Sequence, residues 1–109
     1  METITTKFDN FGNLSISENR RYLMEGDKPF FWLGDTAWLM LLKLDEDEIY
    51  TYLRNRKEKG YNVIQTVLIQ SPQDVESSLA PGRKDVTKSE YWNFVDQILD
   101  MAEQMGLYI

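Results

Sequence analysis

Leu14-Ser15-Ile16-Ser17 alternates apolar and polar residues, and Arg21-Tyr22-Leu23-Met24 returns after the polar turn Glu18-Asn19-Arg20. That period of two predicts a β-hairpin over 14–24. A second turn follows at 25–29, punctuated by Gly26 and Pro29. Phe30-Phe31-Trp32-Leu33 is an unbroken apolar run that stops at Gly34-Asp35. Such a run predicts a strand buried on both faces, as in a parallel sheet covered by helices. Residues 36–42 (TAWLMLL) are apolar again and predict a short helix capped by Asp35 or Thr36.

The next two segments carry helical spacing. Asp45-Glu46-Asp47-Glu48 has the form of a helix start, with Asp45 as cap and Glu48 three residues on. The acidic cluster also complements the positive end of the helix dipole. Ile49, Tyr52, Leu53 and Arg56 share one face, basic residues gather over 54–59, and Gly60 stands where a C′ glycine belongs. The β-branched stretch 61–69 predicts an internal strand. Residues 70–88 are polar, with Pro72, Pro81 and Gly82, and predict a long loop. Thr87 or Ser89 then caps a second helix, whose stripe is Trp92, Val95, Ile98, Leu99, Ala102 and Met105. Gly106 ends it, and Leu107-Tyr108-Ile109 opens a third strand. Each helix closes on a glycine and passes directly into a strand. That is the rhythm of βαβ units with right-handed crossovers and a parallel sheet.

Composition narrows the chemistry. The 109 residues contain no His and no Cys. Imidazole catalysis, thiol nucleophiles, disulfides and zinc held by these residues are therefore excluded within this sequence. Carboxylates, Tyr, Lys, Arg and hydroxyls remain, and neither a cofactor nor a metal is expected. A net charge of -6 disfavours nucleic acid and acidic membrane surfaces as partners. The polar first residues lack the apolar core of a signal peptide. No stretch reaches the ~18 apolar residues of a membrane span. On this sequence the chain reads as cytoplasmic. Its length suits one small domain and falls short of a (β/α)8 barrel, which takes roughly 250 residues.

The runs Leu14 to Met24 and KPFFWLGDTAW (28–38) resemble the N-terminal part of the apiosidase-like glycoside hydrolases, the (β/α)8 domains of glycoside hydrolase family 140. The resemblance continues through LRNRKEKGYNVIQ (53–65) and through 91–109, which ends in MGLYI. It implies an α/β fold: the N-terminal part of a TIM barrel, three parallel strands with covering helices, preceded by a β-hairpin. Residues 1–26 would form an arm and hairpin capping the barrel bottom, and 27–109 the first βα units. It also implies that both catalytic carboxylates belong to later strands, so no catalytic residue is expected in this chain. The implied substrate is a plant-type, pectic polysaccharide. Proteins of this family are often exported.

Three residues are candidate substrate contacts. Asp35 follows the first barrel strand on the face where such barrels keep their sites, and it is either a sugar-hydroxyl ligand or a helix cap. Trp38 is either a sugar-stacking platform or a core anchor. Gln65, within the second strand, meets either a sugar hydroxyl or a structural partner. Two functions follow. One is the N-terminal part of a glycosidase, supplying pocket wall and reaching its carbohydrate through the parent enzyme. The other is a small non-catalytic α/β binding or assembly module. Open sheet edges predict self-association in either case.

Overall fold

The computed structural model describes residues 10–69 and 88–109. Residues 1–9 of the expected arm and nearly all of the expected long loop lie outside them. Two small sheets and three helices form the described part.

The first sheet is an antiparallel meander of β1 (Leu14–Ile16), β2 (Leu23–Glu25) and β3 (Lys28–Phe30), in the order β1-β2-β3. The turn between β1 and β2 is built around the buried Ser17. Its hydroxyl accepts from the backbone N–H groups of Arg21 and Tyr22 and donates to Asn19 Oδ1. Gly26 opens the turn to β3 with φ +61, a left-handed conformation that glycine adopts without a Cβ penalty. The expected hairpin is thus the first two strands of a three-stranded meander, and the second turn is itself a hairpin turn.

This relocates the first barrel strand. Phe30 pairs with Leu23 in the meander, and the parallel sheet begins at β4 (Gly34–Thr36), which pairs with β5 (Val63–Gln65) in the register Gly34↔Val63, Asp35↔Ile64, Thr36↔Gln65. The run Phe31-Trp32-Leu33, expected as a strand buried on both faces, is instead an exposed connector between the sheets, with Phe31 80% accessible. Asn62 holds that connector: its Oδ1 accepts from Leu33 N–H, and its Nδ2 donates to the carbonyl of Phe31. The expected third parallel strand is a single parallel bridge, Val63↔Tyr108. The arrangement is therefore mixed rather than three parallel strands.

The two long helices follow the sequence closely, while the short one expected over 36–42 begins only at Met40. α1 (Met40–Lys43) is one turn, and α2 (Glu46–Glu58) starts from a full capping box. There Asp45 accepts from Glu48 N–H, and Glu48 accepts from Asp45 N–H. Gly60, at φ +95, closes α2 and turns the chain into β5. α3 (Ser89–Gln104) ends at Gly106, and its cap residue is Lys88, without a side-chain cap bond, rather than Thr87 or Ser89. Ile49 and Leu53 of α2 meet Tyr91, Val95, Ile98 and Ala102 of α3 over Ile64 of the sheet. Burial of each Ile, Leu and Val among these contributes ~1.5–3 kcal/mol relative to exposure. Tyr108 joins the two sheets. It stacks on Phe11 at 4.1 Å between centroids, sits edge-on to Phe30, donates to Glu25 Oε2 and accepts from Gly12 N–H.

Candidate functional site

Side chains alternate across a strand, so residues paired in a parallel register share a face. Ile64 lies in the core beneath the helices, and Asp35, its register partner, faces the same layer. There the Tyr52 hydroxyl donates to Asp35 Oδ2 at 2.6 Å. Arg56 Nε stands 2.6 Å from the same oxygen as an ion pair, its N–H turned off the line of a hydrogen bond. The guanidinium also lies over the rings of Tyr52 and Tyr61, at 5.0 and 6.0 Å from their centroids. Tyr52 and Arg56 are one helical turn apart on α2, which is why both reach one carboxylate.

The environment sets the protonation of this cluster. The Tyr52 hydrogen bond, with help from the Arg56 charge, holds the Asp35 carboxyl below its ordinary value against an opposing effect of desolvation. Desolvation, reinforced by the neighbouring carboxylate, pushes the Tyr52 phenol up. Asp35 is therefore an ionised strand-to-helix tie. It does not cap a helix: α1 begins at Met40, after Leu39, with no side-chain cap. The apolar residues before Met40 belong to β4 and its loop.

Trp38 lies in that loop and is 54% exposed, so it is not a core anchor. Its indole borders an open, mainly apolar cavity of ≈ 290 Å³, with Ala37, Leu39, Lys43, Leu44 and Tyr52 also on its walls. The backbone beneath it is tied to the segment after β5. Ala37 N–H donates to the carbonyl of Gln65 at 2.8 Å, the Thr66 hydroxyl donates to the carbonyl of Ala37 at 2.7 Å, and Val67 N–H donates to the carbonyl of Trp38 at 3.0 Å. Gln65, in register with Thr36, presents an exposed side chain on the face opposite Asp35. The structure therefore connects Asp35 to the Trp38 cavity through Tyr52, whose hydroxyl binds Asp35 and which is among the residues lining the cavity. Gln65 stands apart from that pair. Among the described residues no cluster of His, Cys, Asp or Glu is arranged to hold a metal ion. No helix among them is long and apolar enough to cross a membrane.

Sequence reasoning passed over Tyr52 and Arg56 as chemistry, placing them on the inward face of α2 only as packing. It also passed over Thr66, which the sequence placed inside the strand expected over 61–69, whereas β5 ends at Gln65.

The model of the apiosidase-like catalytic domain matches residues 17–109. The chain belongs to the apiosidase-like family. The apiosidase-like chain is also similar to two solved structures. One is a glycoside hydrolase family 5 protein from Bacteroides vulgatus ATCC 8482, 32% identical, with a TM-score of 0.70 over 94% of this chain and 24% of that one. The other is described as a glycoside hydrolase, 35% identical, with a TM-score of 0.70 over 88% of this chain and 24% of that one. The chain thus spans about a quarter of the length of each, and its mixed strands form part of an α/β barrel fold. Comparison with curated proteins gives no match.

Proposed function

We propose that this chain supplies the first wall of the sugar-binding face of a glycoside hydrolase acting on plant-type, apiose-containing polysaccharide. The half-exposed Trp38 ring, on a loop tied to the segment after β5, carries this reading. A sugar presents C–H faces that pack on an indole, and Trp combines a large apolar surface with a polar N–H at its edge. Gln65 offers one acceptor and two donors to a hydroxyl. Asp35 acts through Tyr52, fixing the ring that shares the cavity with Trp38. The catalytic pair of carboxylates is supplied by other parts of the parent barrel, and this chain contributes none.

Trp38 fluorescence tests the reading. With Trp32→Phe and Trp92→Phe in place, Trp38 is the one indole left. Titration with an apiose-containing pectic oligosaccharide should shift and quench its emission, cellobiose should do so more weakly, and Trp38→Ala should abolish binding measured by calorimetry. Binding that survives Trp38→Ala unchanged would count against it. The alternative, a non-catalytic module that pairs with another chain, draws support from the exposed Phe31 and Trp32 beside β4.

A further inference from the structure

An exposed ring is not located by core packing, so the placing of Trp38 falls to its backbone. We propose that Thr66 is the positioning residue for Trp38. The ladder between β4 and β5 extends one step beyond the strands, through Ala37 N–H to the carbonyl of Gln65. At the next step the Thr66 hydroxyl substitutes for a backbone donor and closes on the carbonyl of Ala37 at 2.7 Å. The same oxygen lies 3.4 Å from the carbonyl of Trp38, which also receives Val67 N–H. Just beyond, the hydroxyl of the buried Tyr91 donates to the carbonyl of Leu68. Residues 66–68 are thus a strap fastened to α3 on one side and to the Trp38 loop on the other. A threonine suits the post because its β-branch restricts χ1 and keeps the hydroxyl aimed at one acceptor. The consequence for ligand affinity rests on Trp38 being a sugar platform. The positioning itself does not.

The test uses the chain with Trp38 as its sole indole, together with Thr66→Val and Thr66→Ser. Thr66→Val keeps the shape and removes the donor. It should raise acrylamide quenching of Trp38, lower its emission anisotropy and speed amide exchange at Val67, and Thr66→Ser should restore all three. If an apiose-containing pectic oligosaccharide binds, Thr66→Val should raise its dissociation constant roughly threefold to tenfold, the range set by one net hydrogen bond. Unchanged Trp38 quenching and Val67 exchange in a folded Thr66→Val chain would overturn the proposal, as would unchanged affinity for a sugar that does bind. If no sugar perturbs Trp38 in the unsubstituted chain, the platform reading fails, while the quenching and exchange measurements still decide the role of Thr66.

Discussion

The hydroxyl of Tyr52 donates to Oδ2 of Asp35 across 2.6 Å, joining the middle of α2 to the middle of β4. The bond fastens a barrel strand to its covering helix through a polar contact, where an apolar pair would ordinarily serve. Together with the opposite charge of Arg56 it keeps a carboxylate ionised among half-buried groups. Tyr52→Phe and Asp35→Asn should therefore each lower the thermal midpoint by several degrees. The double substitution should cost no more than the larger single one, since both remove the same tie. Thermal unfolding of the four chains checks this, and additive losses would show that the two residues act apart.

The same cluster, together with Tyr108, fixes two limbs of a pH profile. The native Asp35 carboxyl lies below its ordinary value of 3.8, so its contribution is fully present above that value and lost as pH falls through the lower native one. The native Tyr52 and Tyr108 phenols lie above their ordinary 10.0, so their contributions are present below pH 10 and lost as pH rises through the higher native values. Asp35→Asn should flatten the acid limb, and Tyr52→Phe with Tyr108→Phe the alkaline limb. Denaturant unfolding across the pH range measures both.

Tyr108 makes a second long-range tie. Tyr108→Phe retains the ring stack on Phe11 and removes both hydroxyl bonds, to Glu25 and from Gly12 N–H. The expected cost is about 1 kcal/mol, because these groups are partly solvated and regain water. Amide exchange at Gly12 should quicken while exchange in α2 stays unchanged. Equal acceleration in both places would mean that Tyr108 supports the whole fold rather than the junction of the two sheets.

The two long helices were legible from sequence because their signals are local, whereas the short one, expected over 36–42, begins only at Met40. Asp45 and Glu48 formed the expected capping box, Gly60 and Gly106 the expected ends, and the stripe through Val95, Ile98 and Ala102 the expected buried face. Phe31-Trp32-Leu33 was misread because an aperiodic apolar run does not say which surface covers it. The turn at Gly26 decides the matter by folding 28–30 back on β2. For the candidate site, the sequence singled out Trp38, just beyond a strand end, and Gln65, within a strand, as candidate sugar contacts, but the ties of Asp35 to Tyr52 and Arg56 cross 17 and 21 residues of chain. No local spacing encodes those distances.

Glycosidic hydrolysis requires two carboxyl groups ~5–5.5 Å apart for retention and farther apart for inversion. Asp35 is the one acidic residue that β4 and β5 carry, and it is engaged by Tyr52 and Arg56 on the helix side. The 109-residue polypeptide should therefore show no hydrolysis of aryl glycosides above background. Turnover abolished by a single Asp or Glu substitution within it would contradict this assignment.

Among the described strands β4 pairs on one side alone, with β5, and leaves its other edge open. In the connector that leads into β4, Phe31 and Trp32 are 80% and 56% exposed, and Leu33 40%. An open edge is a template for another strand, and exposed large apolar groups in the same chain add surface to bury, whether the partner is a further βα unit or a second copy of this chain. Covering one such side chain is worth ~1.5–3 kcal/mol, and each ~1.4 kcal/mol is tenfold in a dissociation constant. The isolated polypeptide should therefore self-associate with rising concentration, and its unfolding midpoint should rise in step. Phe31→Ser should weaken that association at least about tenfold with little loss of monomer stability, since the ring makes few contacts to lose. Sedimentation equilibrium over a hundredfold range of concentration decides the matter. A species that stays monomeric throughout, with sharp, reversible and concentration-independent unfolding, would show that neither the edge nor the Phe31–Trp32 pair recruits a partner strand.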